Sequence, residues 1–580
     1  MAFPRLFCFD ARARLVSCAF SVVVLSCSSN SGNDTTNGSG GTSGATSGGA
    51  GTTGGSSGAS AGGAASGAGG TSNTGGANTG GLGGSSGGGA GGQAGPGSKP
   101  WDWVGVIGTG QSLSVGWSST ALSTTQPFKN IVLEDDGPDP KYPIDGSSSA
   151  VWKTVPLIEP PRKAVAGTGA GYDDWQYPNN IAHQDAIYGE TPHSGMANTL
   201  SAVWQARGGD GDYITAHSIV GWSGHTLLNL NKAGGMRAYP ASLSETTVFK
   251  TLAAAAGKTY GVGGIILTHG EGDATNPDYG TGLWQFWQDY NADIKTITGQ
   301  ERDIVLLASQ PSNNPSYDYS GVQMWKAGVD HPGQIVCTGP KYQFGPYGLH
   351  LSGPGYERLG EKYGEIFDLI VNQGIAWKPL GPNKVTRSGA VITIDFDVPN
   401  PPLVWDENLV APHQSVHTAW AAGHGFEVID DSLNEIAIQS AEIVDNSVVL
   451  TLTSDPGSKK LTLAYAITAD AAGDQGGNDT GAHGQLRDSD SFVGVDSETI
   501  ELNVANGSAN MGEVTPGSIG RRTFWDVVTG DNIAAGTVIK TLGGTQVTLS
   551  APWSGSTGTA SLTFAHDQHN YCVHFNMPVP

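Results

Sequence analysis

The chain predicts an α/β domain, a mostly parallel sheet with helices on both faces, followed by an all-β region. Three observations lead there. Between residues 100 and 378, short apolar runs alternate with longer segments of helical period, the pattern of a βαβ architecture. From Pro379 the helical period disappears, and short alternating runs separated by Gly, Asn and Asp take its place, as in an antiparallel β-sandwich. Residues 28–99 are nearly all Gly, Ser, Thr, Ala and Asn, with no apolar surface to bury. The folded part therefore begins near residue 100.

At 580 residues the chain is too long for one domain. Its front has a secretory layout: Arg5, Arg12 and Arg14, a short apolar stretch over 15–25, then Ser26 and Cys27. That stretch is too short and wrongly flanked for a transmembrane helix. Val24-Leu25-Ser26-Cys27 resembles the lipobox of bacterial lipoproteins, which implies a signal peptide over 1–27 and lipidation of Cys27. A plain signal peptide cut nearby is the other reading. The segment 28–99 is then a flexible tether, with a root-mean-square reach of roughly 45 Å. On these readings the protein is extracytoplasmic, secreted or held on a bacterial membrane by a lipid anchor alone.

The net charge of −23 falls on the folded part, since the tether carries almost none. An acidic surface repels phosphate backbones, which argues against nucleic acid as a partner. Of five cysteines, only Cys337 and Cys572 lie beyond the front segment. They exclude a thiolate metal cluster and a disulfide framework, leaving at most one bridge.

Within the α/β part, strands are predicted at 104–108, 213–220, 264–268, 303–309 and 334–338. Helices are predicted at 195–207, 246–256, 282–297 and 355–371. In the third helix Trp284, Trp287, Tyr290 and Ile294 recur at helical spacing and read as core. Residues 117–190 form a long loop region whose acidic run, Glu134 to Asp139, reads as a solvated loop or, less simply, a calcium site.

Four stretches stand at strand ends, where open α/β sheets place their ligand crevice. Gly110-Gln111-Ser112 follows the first strand. Gly221-Trp222-Ser223-Gly224-His225 follows the second. His269-Gly270-Glu271-Gly272-Asp273 follows the third. Tyr347-Gly348-Leu349-His350 precedes the last helix. A serine nucleophile needs a base for its proton, usually histidine. It also needs N–H donors for the developing oxyanion. Ser112, His350, Gly224 and the His269 side chain can supply these. His217, His225 and His331 read as ordinary core or surface residues.

Taken together, the blocks resemble the SGNH/GDSL hydrolases, and within them the carbohydrate O-acetylesterases that carry Gly-Gln-Ser. His269-Gly270-Glu271-Gly272-Asp273 is similar to the Gln-Gly-Glu-Ser-Asp block of sialate O-acetylesterase-like enzymes, with His for Gln and Gly for Ser. Gly348-Leu349-His350 and the helix start after it are similar to the last block. The resemblance spans residues 103–372 and implies a flavodoxin-like three-layer domain. By its implied roles, Ser112 is the nucleophile and His350 the general base. The oxyanion hole is Ser112, Gly224 (or Gly221) and His269, while Gln111, Glu271 and Asp273 support the loops. Neither metal nor organic cofactor is implied. One departure stands out: Tyr347 occupies the position of the family's His-orienting Asp. Either a backbone carbonyl or another carboxylate orients His350, or catalysis is impaired.

In residues 379–580, strands are predicted near 390–396, 442–452, 460–465, 538–540, 546–550 and 560–565. A small β module is expected to be inserted over about 510–565 before a last strand at 571–575. Trp405, Trp420, Trp525 and Trp553 suit stacking on sugar rings, or else belong to the core of a structural cap. The function this sequence suggests is a serine esterase removing O-acetyl groups from a polysaccharide or glycan. An SGNH lipase, thioesterase or polyester hydrolase is the alternative chemistry, and a catalytically impaired glycan-binding lipoprotein the alternative class.

Overall fold

The computed structural model describes residues 98–580, except 118, 136–151, 162–163, 166–168, 171–188, 212, 235–237, 312–319, 346–348, 471–480, 493, 495–496 and 521. The chain divides into units Met1–Ala77 and Asn78–Pro580, and every described residue lies in the second. Cys27, the tether to residue 97, Tyr347 and most of the acidic run after Glu134 lie outside the described residues.

The α/β part is a seven-stranded sheet: β1 (Trp103–Gly110), β2 (Ile131–Asp135), β3 (Trp152–Pro156), β4 (Ile214–Ile219), β5 (Tyr260–Thr268), β6 (Val305–Gln310) and β7 (Ile335–Pro340). The spatial order is β3-β2-β4-β1-β5-β6-β7, and every pairing is parallel except β2 with β3. Taken in chain order, the five strands β1 and β4 to β7 lie 2-1-3-4-5, the flavodoxin-like order. The helices are α1 (Pro192–Ala206), α2 (Ala238–Ala255), α3 (Tyr279–Thr298), α4 (Ser320–Asp330) and α5 (Gly353–Phe367). One apolar core joins α2, α3 and α4 to one face through Ile107, Ile265 and Leu267. A second joins α1 and α5 to the other face through Val104, Val106, Ile266 and Leu307. Strands buried on both faces tend to carry apolar runs, which made these five parallel strands visible in sequence, although Thr215, His217 and Ser218 interrupt β4.

The differences from expectation lie at the edges. The β2–β3 hairpin arm sits inside the stretch expected to be loop, and α4 was not expected. Both are short or locally mixed in composition, so their burial is set by the neighbours they pack against. Trp287, Tyr290 and Ile294 are buried as expected of core, and Trp284 stacks between Trp287 and His331.

The C-terminal part is antiparallel. One sheet orders Gly381–Ser388, Val391–Asp397, Ser447–Leu452 and Ile438–Val444, and a second orders Phe426–Asp430, Leu461–Tyr465 and Phe575–Val579. Their inner faces share a core of Ile392, Phe396, Val448, Phe426, Leu463 and Phe575. Between the strand ending at Tyr465 and the closing strand comes a six-stranded module with its own core. Its strands run from Glu498 to Ala565, an earlier start than expected, and the closing strand begins at Phe575 where the apolar run 571–575 ends. Residues 571–573 instead wedge into the interface with the α/β part.

The structure bears on two readings that the sequence left open. Cys337 and Cys572 are free, buried thiols and form no bridge. Of the four tryptophans, Trp420 and Trp553 are buried, while Trp405 and Trp525 are half-buried against the sandwich core, Trp405 with its ring stacked on His424 at 4.3 Å. Trp525 donates its indole N–H to the Asn408 carbonyl.

Candidate active site

The crevice follows from the topology. At the C-terminal end of β1, Gly108 registers with Ile219 of β4, and Gly110 with Thr268 of β5. The loops after these three strands thus rise side by side at the point where strand order reverses. Gly110 has φ 138°, and a Cβ there would lie 2.2 Å from the Thr268 carbonyl oxygen. Only glycine fits so close to a neighbouring backbone. The chain then turns at Gln111 into a short 3-10 segment, Ser112–Val115. Ser112 opens that turn, and no described acceptor takes its backbone N–H.

His350 reaches the same point from the other end of the domain. Its Nε2 lies 2.8 Å from Ser112 Oγ, across 238 residues of sequence. The Trp117 ring lies 5.9 Å from the imidazole, centroid to centroid. Burial lowers the His350 pKa from its ordinary 6.5; Glu271 opposes that shift and Lys341 adds to it. The imidazole is neutral at pH 7 and able to accept a proton. Among the described residues, no carboxylate hydrogen-bonds to His350. Ser352 caps α5 by accepting the Gly355 N–H, with Pro354 in its first turn, so His350 sits immediately before a rigid helix start.

The third loop is a brace. Glu271 Oε2 accepts from Gln111 Nε2 at 2.8 Å, and the Gly272 N–H donates to Gln111 Oε1 at 3.0 Å. Both ends of the Gln111 amide are thereby held, and with them the residue before Ser112. Asp273 accepts the Leu227 N–H at 2.6 Å, tying the second loop to the third.

His269 departs from its expected place in the oxyanion hole. Its ring is fully buried; Nδ1 meets Tyr279 Oη at 2.9 Å and Nε2 meets the His225 carbonyl at 2.9 Å. Burial pushes its pKa down, so it is neutral and donates one hydrogen bond. With that N–H on His225 and the other nitrogen on a phenol, the ring has no donor left for an oxyanion and no free lone pair for a serine proton. What it grips is the residue after Gly224. Gly224 itself is exposed with φ 73°, and the place of its missing Cβ is open space. Gly221 packs against Ser114 instead: a Cβ there would meet Ser114 Oγ at 1.7 Å.

Lys341 escaped sequence reasoning. It directly follows β7, its side chain is fully buried, and Nζ lies 2.8 Å from Glu271 Oε1. The contact is ionic and off the hydrogen-bonding directions. A lone lysine directly after a buried, mostly apolar parallel strand was the available signal. His217, set aside as a core residue, is buried and paired with His193 through their Nδ1 atoms at 2.8 Å. Among the described residues, no group of His, Cys, Asp and Glu is arranged to hold a metal ion.

No protein-family model matches the chain, and no curated protein does. Among solved structures, the chain is similar to a carbohydrate acetylesterase from Xanthomonas citri. That similarity has a TM-score of 0.40 and 11% identity, over 66% of this chain and 77% of that one. It is also similar to NanS, with a TM-score of 0.29 and 11% identity, over 46% of this chain and 96% of that one. Likeness this distant assigns neither reaction nor substrate to this chain.

Proposed function

We propose that this protein is a serine esterase of SGNH type that removes O-acetyl groups from a carbohydrate. The observation that carries the reading is the 2.8 Å contact between Ser112 Oγ and His350 Nε2, at the crevice where the three loops converge. Ser112 Oγ attacks the acetyl carbonyl carbon while His350 Nε2 takes its proton. The oxyanion is met by backbone N–H groups of Ser112 and Gly224. The tetrahedral adduct expels the sugar oxygen, which leaves with the proton held by His350. Water, deprotonated by His350, then attacks the acetyl-serine and releases acetate. A dyad suffices for this sequence, because the third member of a triad positions and supports the imidazole without taking its proton. The acetylated-carbohydrate substrate rests on the Gly110-Gln111-Ser112 and His269 to Asp273 blocks.

The test is 4-nitrophenol release from the acetate and from longer acyl esters by wild type and Ser112→Ala. The expected result is loss of roughly three or more powers of ten in kcat for Ser112→Ala, with the acetate preferred. Equal rates for the two proteins remove the serine-esterase reading and leave glycan binding. A preference for long chains replaces acetylesterase by lipase or polyester hydrolase.

The same proposal includes a place for the enzyme: on a bacterial membrane, anchored through lipidated Cys27 and reaching its substrate on the tether 28–99. Cys27→Ala is expected to move the protein from the membrane fraction to the soluble one, and an unchanged distribution would remove the anchor.

A further inference from the structure

We infer that Lys341 is a positioning residue of this site, acting through Glu271 and Gln111 on Ser112 and by its charge on His350. The inference rests on the esterase reading and extends it to a residue that no motif contains.

The chain of contacts is short. Lys341 Nζ lies 2.8 Å from Glu271 Oε1, and both side chains are essentially out of solvent, at 0% and 4% exposure. The other Glu271 oxygen accepts from Gln111 Nε2 at 2.8 Å, and the Gly272 N–H holds Gln111 Oε1 at 3.0 Å. Gln111 directly precedes the nucleophile, and its own carbonyl accepts the Ser114 N–H and the Ser114 hydroxyl. Moving the Gln111 side chain therefore moves the turn that aims Ser112 Oγ. A buried carboxylate that has lost its cation is strongly destabilised, so Glu271 keeps this geometry only while Lys341 neutralises it.

The pair also sets the field at the base. Glu271 and Lys341 are the charged groups acting on His350, and they act in opposite senses. Lys341 also faces His269 and, from the C-terminal region, His574; Asp273 faces His269 from the same loop. Burial holds both of those histidines below their ordinary value, and that of His574 falls to about 4. Neither carries charge at neutral pH. Lys341 itself is fixed by the fold around it. It follows Pro340 at the end of β7, and its neighbour Tyr342 donates to the Cys572 carbonyl at 3.3 Å. The C-terminal region thus backs the cation that tunes the crevice.

The experiment compares full-chain wild type, Lys341→Met, Glu271→Gln and the double variant. Two quantities are read: the pH dependence of kcat/KM, and the His350 titration by ring NMR, assigned with His350→Asn. Lys341→Met is expected to shift the His350 titration and the acid limb of activity upward, and Glu271→Gln to shift both downward. In each single variant kcat falls by roughly 100-fold, while KM changes less. The double variant, with no unpaired buried charge, regains thermal stability relative to Lys341→Met. If Lys341→Met does not fold, Glu271→Gln and the double variant carry the test. Titrations unmoved in folded variants overturn the inference, because a purely structural lysine changes the amount of folded protein and not the pKa of His350. The NMR reading needs no turnover. If Ser112→Ala hydrolyses as fast as wild type, the esterase reading fails while the Lys341 test still stands.

Discussion

At the scale of single residues, the site is two side chains and a set of clamps. On the proposed reading, neutral His350 is the form that accepts the serine proton, and burial holds its pKa below the ordinary 6.5. The acid limb of kcat/KM is therefore expected below pH 6.5, with activity rising to a plateau as pH increases through it. A limb at or above 6.5 in a pH–rate series would contradict the geometry. His350→Ala should lose activity to nearly the extent of Ser112→Ala, since the two act as one unit. His269→Gln should instead lower activity moderately, roughly 10- to 100-fold, because it loosens the His225 carbonyl and the loop holding Gly224. Near-complete loss in His269→Gln would restore it as a direct participant. Ser112 was legible because its motif follows a strand end, and His350 because its motif precedes a helix start. The role of His269 was not legible: which atom a ring nitrogen meets depends on how the second and third loops pack, and its own segment does not encode that.

At the scale of elements, the site depends on two helices packed backbone to backbone. A Cβ on Gly360 of α5 would lie 2.2 Å from the Pro192 carbonyl oxygen of α1, and one on Gly195 would lie 2.4 Å from the Glu357 carbonyl oxygen. These glycines are present for approach, with neither backbone able to give way. Gly360→Ala is expected to destabilise by about 1–3 kcal/mol and to lower activity by displacing the helix that His350 precedes. Thermal denaturation together with kcat measures both effects; a melting temperature within a degree of wild type would mean the helices can separate freely. The five parallel strands at the centre and four helices were visible as apolar runs and helical period. The β2–β3 arm and α4 were not, because a short element owes its burial to what covers it.

At the scale of the whole molecule, the C-terminal region is part of the scaffold that holds the crevice. Every residue of α5 is buried, including charged ones that find partners across the interface. Arg358 donates to the carbonyls of Phe524 and Asp567, Glu361 accepts from Gln568, and Lys362 reaches Asn570 and Glu365. His566 lies 2.7 Å from Asp526 and 3.6 Å from Glu357, all three out of solvent. Burial works to lower the His566 pKa, but Asp526, Glu361 and Glu357 outweigh it and raise it to about 10. A histidine with a raised folded-state pKa stabilises fully below its unfolded value and loses that contribution as pH rises through the folded one. The His566 contribution is thus complete below pH 6.5 and disappears as pH passes about 10. His566→Ala takes a shared cation from two buried carboxylates, Asp526 keeping Arg522 at 3.9 Å, and should cost about 3–5 kcal/mol at neutral pH. The deficit relative to wild type should shrink toward pH 10. A constant deficit across that range, by chemical denaturation, would exclude the charge as its source.

The sequence by itself determined the alternating α/β core, the all-β region after it, and a serine after β1 and a histidine before α5. Each of these is written locally, in periodicity, glycine punctuation and a few contiguous residues. Only the tertiary structure decided that His269 braces a loop, that Lys341 lies behind Glu271, and that Trp420 and Trp553 of the β region are buried. It also joined that region to the helix after His350. Contacts between groups tens to hundreds of residues apart depend on the packing of whole layers, and no short stretch of sequence carries that information. Ser112 belongs to both accounts, since its motif is local and its partner, 238 residues away, is brought to it by the packing of α5 against the sheet.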